Sequence, residues 1–190
     1  LTGIDHRGNH GLPFMNYQRL SPGDLLAIIS YLRVQEPVEH AVSRSEYNLL
    51  GKLALAYFIR PEPGLPRFPD AIEREATPEY GEYLAEALGS CGDCHTNRSL
   101  KTGEYLGVRY GGGMPFEHPD QPGVVVSSPR LIPDPETGLV AGMTEASFLG
   151  RMSAGGGRRW SPMPWGPYSR LTDTDKRALF RFLASLKPVD

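Results

Sequence analysis

Cysteine is the scarcest informative residue: the 190-residue chain has two, Cys91 and Cys94. A disulfide-stapled secreted domain needs more cysteines at wider spacing, so that class is excluded. Long apolar runs are missing too. None approaches the roughly 18 residues of a membrane span. The nearest, Leu49 to Ile59, is short and contains Lys52. Charge of one sign does not accumulate. The formal net charge is −2, which gives no electrostatic reason to expect nucleic acid. Strong strand patterns are also scarce, with Val124 to Val126 only a brief run. The chain starts at Leu1 with no signal peptide, so the expectation is processing or a longer gene product.

Glycine (22) and proline (18) are plentiful, which predicts long loops between few helices. At 39% hydrophobic and 22% charged, the composition is that of a folded globular chain. Residues 77–90 read as a helix. Thr77 caps it, Pro78 suits the first position, and Glu79 complements the dipole. Tyr80, Tyr83, Leu84, Ala87 and Leu88 form one apolar face, and Gly89 ends it. Residues 172–187 read as a second helix, with Thr172 and Asp175 as a capping-box pair. Its stripe is Leu179, Phe182, Leu183 and Leu186, and Pro188 stops it. A short helix is expected over 144–153, capped by Thr144. Prolines 61, 63, 66, 69 and 78 mark a linker or extended arm.

An internal repeat organises the chain. Residues 12–38 align without gaps on residues 163–189. Pro13 meets Pro164, Tyr17 meets Tyr168, Arg19 meets Arg170, Asp24 meets Asp175, and Pro37-Val38 meets Pro188-Val189. The N-terminal part therefore reads as the closing segment of a domain whose opening is not in this sequence. The C-terminal part holds both ends of one.

The chemistry lies in Cys91-Gly92-Asp93-Cys94-His95. This C-x-x-C-H run is the attachment signature of a c-type haem. Two thiols add to two vinyl groups on one porphyrin edge, and the adjacent imidazole binds the iron. A zinc ribbon would need further ligands, and the chain has no other cysteine. A thioredoxin-like pair would need a βαβ setting, and no such pattern is present.

Met163, held between Pro162 and Pro164, is the leading sixth ligand, giving His/Met ligation. Met114, Met143, Met152 and His118 are the other candidates, and gap filling is the competing role for Met163 itself. Pro164, Trp165 and Tyr168 are placed with Met163 around the haem. For Trp165 and Tyr168, plain core is the competing assignment. Arg158 and Arg159 either neutralise propionates or sit in a solvated loop.

Residues 77–190 resemble class I cytochromes c. They are most similar to the cytochrome subunits of membrane-bound alcohol and sugar dehydrogenases and to related two-haem cytochromes. The resemblance is carried by Gly81-Glu82-Tyr83-Leu84, Cys91 to Thr96, Gly112-Gly113, Pro133 to Gly138, Arg151, Met163-Pro164-Trp165 and Leu171-Thr172-Asp173. It implies an all-α fold with the first and last helices crossed at Gly81, and Met163 as distal ligand. Residues 1–60 then form a partial cytochrome-c-like segment and connector, 61–76 a linker, and 77–190 the haem domain.

Two departures stand out. No C-x-x-C-H precedes residue 12, and Leu12 occupies the position equivalent to Met163. Either a first haem unit lies upstream with altered ligation, for which Met15, His6 or His10 are candidates, or that unit has decayed. Arg130 also stands where the family often has asparagine.

The functional expectation is periplasmic, extracytoplasmic electron transfer through one covalently bound haem c. The chain acts as a carrier rather than an enzyme. Its partners are redox proteins, a dehydrogenase or a membrane electron-transfer complex. Membrane association would come through a partner or an unseen N-terminal segment. The alternatives are a peroxidase-like haem enzyme with an open sixth position, and a docking subunit whose haem is secondary.

Overall fold

The computed structural model describes residues 19–41, 47–57, 72–99, 102–155 and 160–188. Leu12, Met15, His6, His10, Arg158, Arg159 and most of the 61–76 linker lie outside them. The chain divides into two compact units, 1–72 and 73–190.

In the first unit, α1 (Pro22–Arg33) follows Ser21, whose side chain accepts a bond from the Asp24 amide. Position for position in the repeat, this is the cap that Thr172 makes with Asp175. None of the α1 residues is buried, and Leu26, Ile28, Ile29, Tyr31 and Leu32 stay exposed. Helix α2 (Leu49–Tyr57) takes up most of the apolar run noted in the sequence. Among the described residues, no helix is long and apolar enough to cross a membrane.

The second unit is mostly helical, as the fold class requires. Thr77 caps α3 (Pro78–Tyr83) through the Tyr80 amide. The helix then widens into a π-helical turn over Leu84–Leu88, closed by the Gly89 amide on the Leu84 carbonyl at 2.7 Å. This turn corrects one expectation. Tyr80, Tyr83, Leu84 and Ala87 are buried as the apolar face requires, but Leu88 is 39% exposed. The extra residue in the turn rotates Leu88 off the face that an unbroken 3.6-residue period would give it.

Helix α4 is the single turn Cys91–Cys94. Next comes a two-stranded antiparallel hairpin, β1 (Pro115–Glu117) paired with β2 (Val125–Ser127). The brief valine run thus supplies a real strand. Its partner carries no strand-like sequence pattern, and both strands are held by the ladder rather than by deep burial.

Thr144 caps α5 (Glu145–Ser153), and the short α6 is Trp165–Ser169. Helix α7 (Asp173–Ser185) begins with the expected capping box, Thr172 and Asp175 each bonding the other's backbone. Leu179, Phe182 and Leu183 are buried, while Leu186 falls just past the helix end.

The core forms where α3 meets α7. A side-chain carbon on Gly81 would stand 2.0 Å from the Ala178 carbonyl oxygen. Only glycine lets the two backbones approach that closely. Tyr80 donates to Asp175 at 2.8 Å across the crossing, and Tyr110 packs edge-on against Phe182. Glu145 of α5 grips Arg177 and Arg181 of α7.

Candidate functional site

The site begins with the backbone. Ser90 adopts a left-handed conformation, φ 46°, so the chain turns sharply out of the π turn into α4. Cys91 and Cys94, one helical turn apart, therefore share a face. His95 closes the turn, its amide bonded to the Cys91 carbonyl at 2.9 Å.

His95 is buried, and its Nδ1 lies 2.9 Å from the Pro129 carbonyl oxygen. A carbonyl only accepts, so Nδ1 carries the hydrogen and Nε2 keeps its lone pair. Burial lowers the imidazole pKa, more than the Pro129 bond raises it. The ring is thus neutral, oriented and in the tautomer a metal ligand needs.

Two glycines make this anchor sterically allowed. Gly112 has φ 73°, and its amide donates to the His95 carbonyl at 2.7 Å. A side-chain carbon there would stand 2.6–2.8 Å from backbone atoms of Ser128, Pro129 and Arg130. Gly113 continues the contact, its amide bonding the Ser128 carbonyl at 2.9 Å. The glycine pair thus brings the Pro129 carbonyl to the imidazole. Thr96, also buried, accepts from the Tyr110 amide at 3.1 Å and pins the chain after His95.

The cysteines form no disulfide. Burial pushes the Cys91 thiol up to about 12, with Glu86 and Cys94 adding to the rise. Cys94 is raised too, by burial first and then by Asp93. Neutral thiols of this kind do not make a low-pKa redox pair. Among the described residues, no cluster of three or more His, Cys, Asp and Glu could hold a metal ion.

A polar network surrounds α4 that sequence reading did not single out. Glu86, in the π turn, receives Arg109 Nη2 at 2.6 Å, Arg109 Nε at 3.2 Å and the Tyr110 hydroxyl at 2.5 Å. Arg109 lies across Gly92, where a side chain would meet its guanidinium at 2.3 Å. Asp93 accepts from Tyr105 at 3.0 Å. No local pattern announces this network, because Glu86 and Arg109 are 23 residues apart.

The remaining predicted residues lie on the segment between α5 and α6 and on α6 itself. Met163 is half-buried. Ser161 Oγ accepts both the Met163 amide at 3.2 Å and Trp165 Nε1 at 3.1 Å. The Trp165 amide in turn donates to the Met163 carbonyl at 2.8 Å. Pro164 caps α6, and Trp165 lies under the Arg151 guanidinium, 5.8 Å from its ring centre. Tyr168 ties this segment to the C-x-x-C-H run, its hydroxyl donating to the Gly89 carbonyl at 2.8 Å. The other sulfur and imidazole candidates are spread over the second unit, with Met143 half-buried just before α5. Met114 and Met152 are buried in the core, and the His118 ring lies tilted against Trp160, 4.6 Å between ring centres.

Paired thiols on one helical face, with a neutral imidazole presenting Nε2, fit a c-type haem. No family model matches the chain. Individual proteins do. The cytochrome c subunit of the quinone-dependent alcohol dehydrogenase of Gluconobacter oxydans is 32% identical over 120 residues, covering 60% of this chain and 23% of that protein. A dihaem cytochrome c-type protein of Cereibacter sphaeroides is 26% identical over 194 residues, 94% of this chain and 59% of that one. The chain is related to these cytochromes c.

A nicotinate dehydrogenase component of Pseudomonas putida is 27% identical over 123 residues, 59% of this chain and 10% of that protein. The chain spans less than two thirds of the length of each of these relatives. The relationship supports electron transfer as the coarse function, with haem c as the cofactor class.

Proposed function

We propose that residues 77–190 hold one haem c on Cys91 and Cys94, with His95 and Met163 as axial ligands, and that the chain carries single electrons outside the cytoplasm. The observation that carries this reading is the His95 anchor. A buried neutral imidazole with Nδ1 committed to Pro129 has only Nε2 to offer, beside two thiols. Bound there, the haem would supply a one-electron ferric/ferrous couple.

The protein's own groups have distinct tasks. His95 is held in one tautomer by a backbone acceptor that cannot rotate away. Met163 is held by the bond from its amide to Ser161 Oγ and by two flanking prolines. Tyr168 fastens α6 to the residue two before Cys91. Trp165, Pro164 and Tyr168 line the haem in this reading. A closed sixth position makes the chain a carrier, not a catalyst.

The partners we propose are a dehydrogenase or another redox complex, with the chain as a subunit or associate. Thioether formation to haem is extracytoplasmic chemistry, so the location is the periplasm. Residues 1–60 are a partial cytochrome-c-like segment and 61–76 a linker. The shared capping register of α1 and α7 supports that organisation.

Met163→Ala tests the ligand set. The oxidised protein should show a weak red sulfur-to-iron band that this variant abolishes. The reduction potential should fall by on the order of 100 mV, because a thioether ligand raises it. A band that survives the substitution would assign the sixth position elsewhere.

A further inference from the structure

We infer that Lys176 is a positioning residue for Met163, tying together the two helices that flank the segment that carries it. The inference rests on the axial role proposed for Met163. Lys176 lies in the first turn of α7 and is only 4% exposed. Lysine is almost never this buried without a specific partner. Its Nζ donates to Ser153 Oγ at 2.8 Å and to the Ser169 carbonyl at 3.1 Å.

Those two partners are the last residues of α5 and α6. Met163 lies between these helices, in the part of the intervening sequence that is described, 160–164. One ammonium therefore brackets the stretch on either side of the ligand. An axial thioether is a single bond competing against every arrangement its segment gains on release. Joining the two flanking helices removes many of those arrangements, so the attached state is favoured without any direct contact to the sulfur.

The internal repeat points the same way. Leu12 stands where Met163 would be, and Leu25 stands where Lys176 would be. Ser21 and Thr172 cap the two helices in the same register, so the equivalence holds at the helix start. The copy with a leucine in place of the ligand also has a leucine in place of the ammonium.

The experiment uses the haem-loaded chain and imidazole as a competing external ligand. Lys176→Met keeps an unbranched stem and removes both donated bonds. Its ferric form should bind imidazole about tenfold more tightly and lose the red band at correspondingly lower imidazole. Ser153→Ala removes one bond at an exposed residue and should shift the affinity about threefold, which keeps the test intact if Lys176→Met does not fold.

A lower melting temperature with imidazole affinity unchanged in both variants would make Lys176 merely structural and overturn the inference. If the unsubstituted protein shows no red band, the Met163 reading itself fails, and this inference with it. The two failures are thus separable.

Discussion

Gly81→Ala is expected to destabilise the 73–190 unit by about 3 kcal/mol or more, near the upper end for overpacking. The added carbon would sit 2.0 Å from the Ala178 carbonyl oxygen, 2.6 Å from its carbonyl carbon and 2.7 Å from Phe182 Cβ. Two of these three are backbone atoms of α7, so no rotamer change relieves them. The helices would have to separate, and Tyr80, Tyr83, Leu179 and Phe182 would lose their close packing. The melting temperature should fall by roughly 10–20 °C for a unit of this size. A thermal melt followed by circular dichroism checks it. A shift of only a degree or two would mean that the crossing is looser than its geometry.

Glu86→Ala should cost about 2–3 kcal/mol. Its carboxylate collects two bonds from Arg109 and one from Tyr110, and its side chain is 14% exposed. Losing it leaves the hydroxyl of buried Tyr110 without this acceptor. The Arg109 contribution is smaller than a fully buried pair would give, because Arg109 is 38% exposed and water can reach it. Urea unfolding should show a lower midpoint with little change in slope. A loss below about 0.5 kcal/mol, the range of ordinary surface substitutions, would contradict a structural role for the network.

Much of this fold is legible because its signals are local. Thr77-Pro78, Thr144 and Thr172 with Asp175 each announce a helix start within four residues, and each helix begins there. The C-x-x-C-H run is similarly compact. Gly81 can be assigned to a close approach from the family resemblance, and the Ala178 contact explains why no other residue serves.

What stayed hidden depends on distance or on backbone. The π turn has no composition of its own, so the exposure of Leu88 could not be foreseen. The His95 anchor is the carbonyl of Pro129, 34 residues away, and a carbonyl leaves no mark on a sequence. Glu86 and Arg109 read as ordinary surface charges until the fold brings them together. Lys176 reads the same way, in a first turn rich in charge. The last three are polar groups whose partners are set by tertiary structure.

Covalent attachment of haem is the claim on which the others depend. The chain should be produced in a bacterial periplasm with haem-attachment machinery and weighed intact, with a pyridine haemochrome count beside it. The expected result is one haem per 190-residue chain, resistant to acid-acetone extraction and lost in the Cys91→Ala, Cys94→Ala double variant. The bare polypeptide mass, or a haem that acid acetone removes, would contradict it.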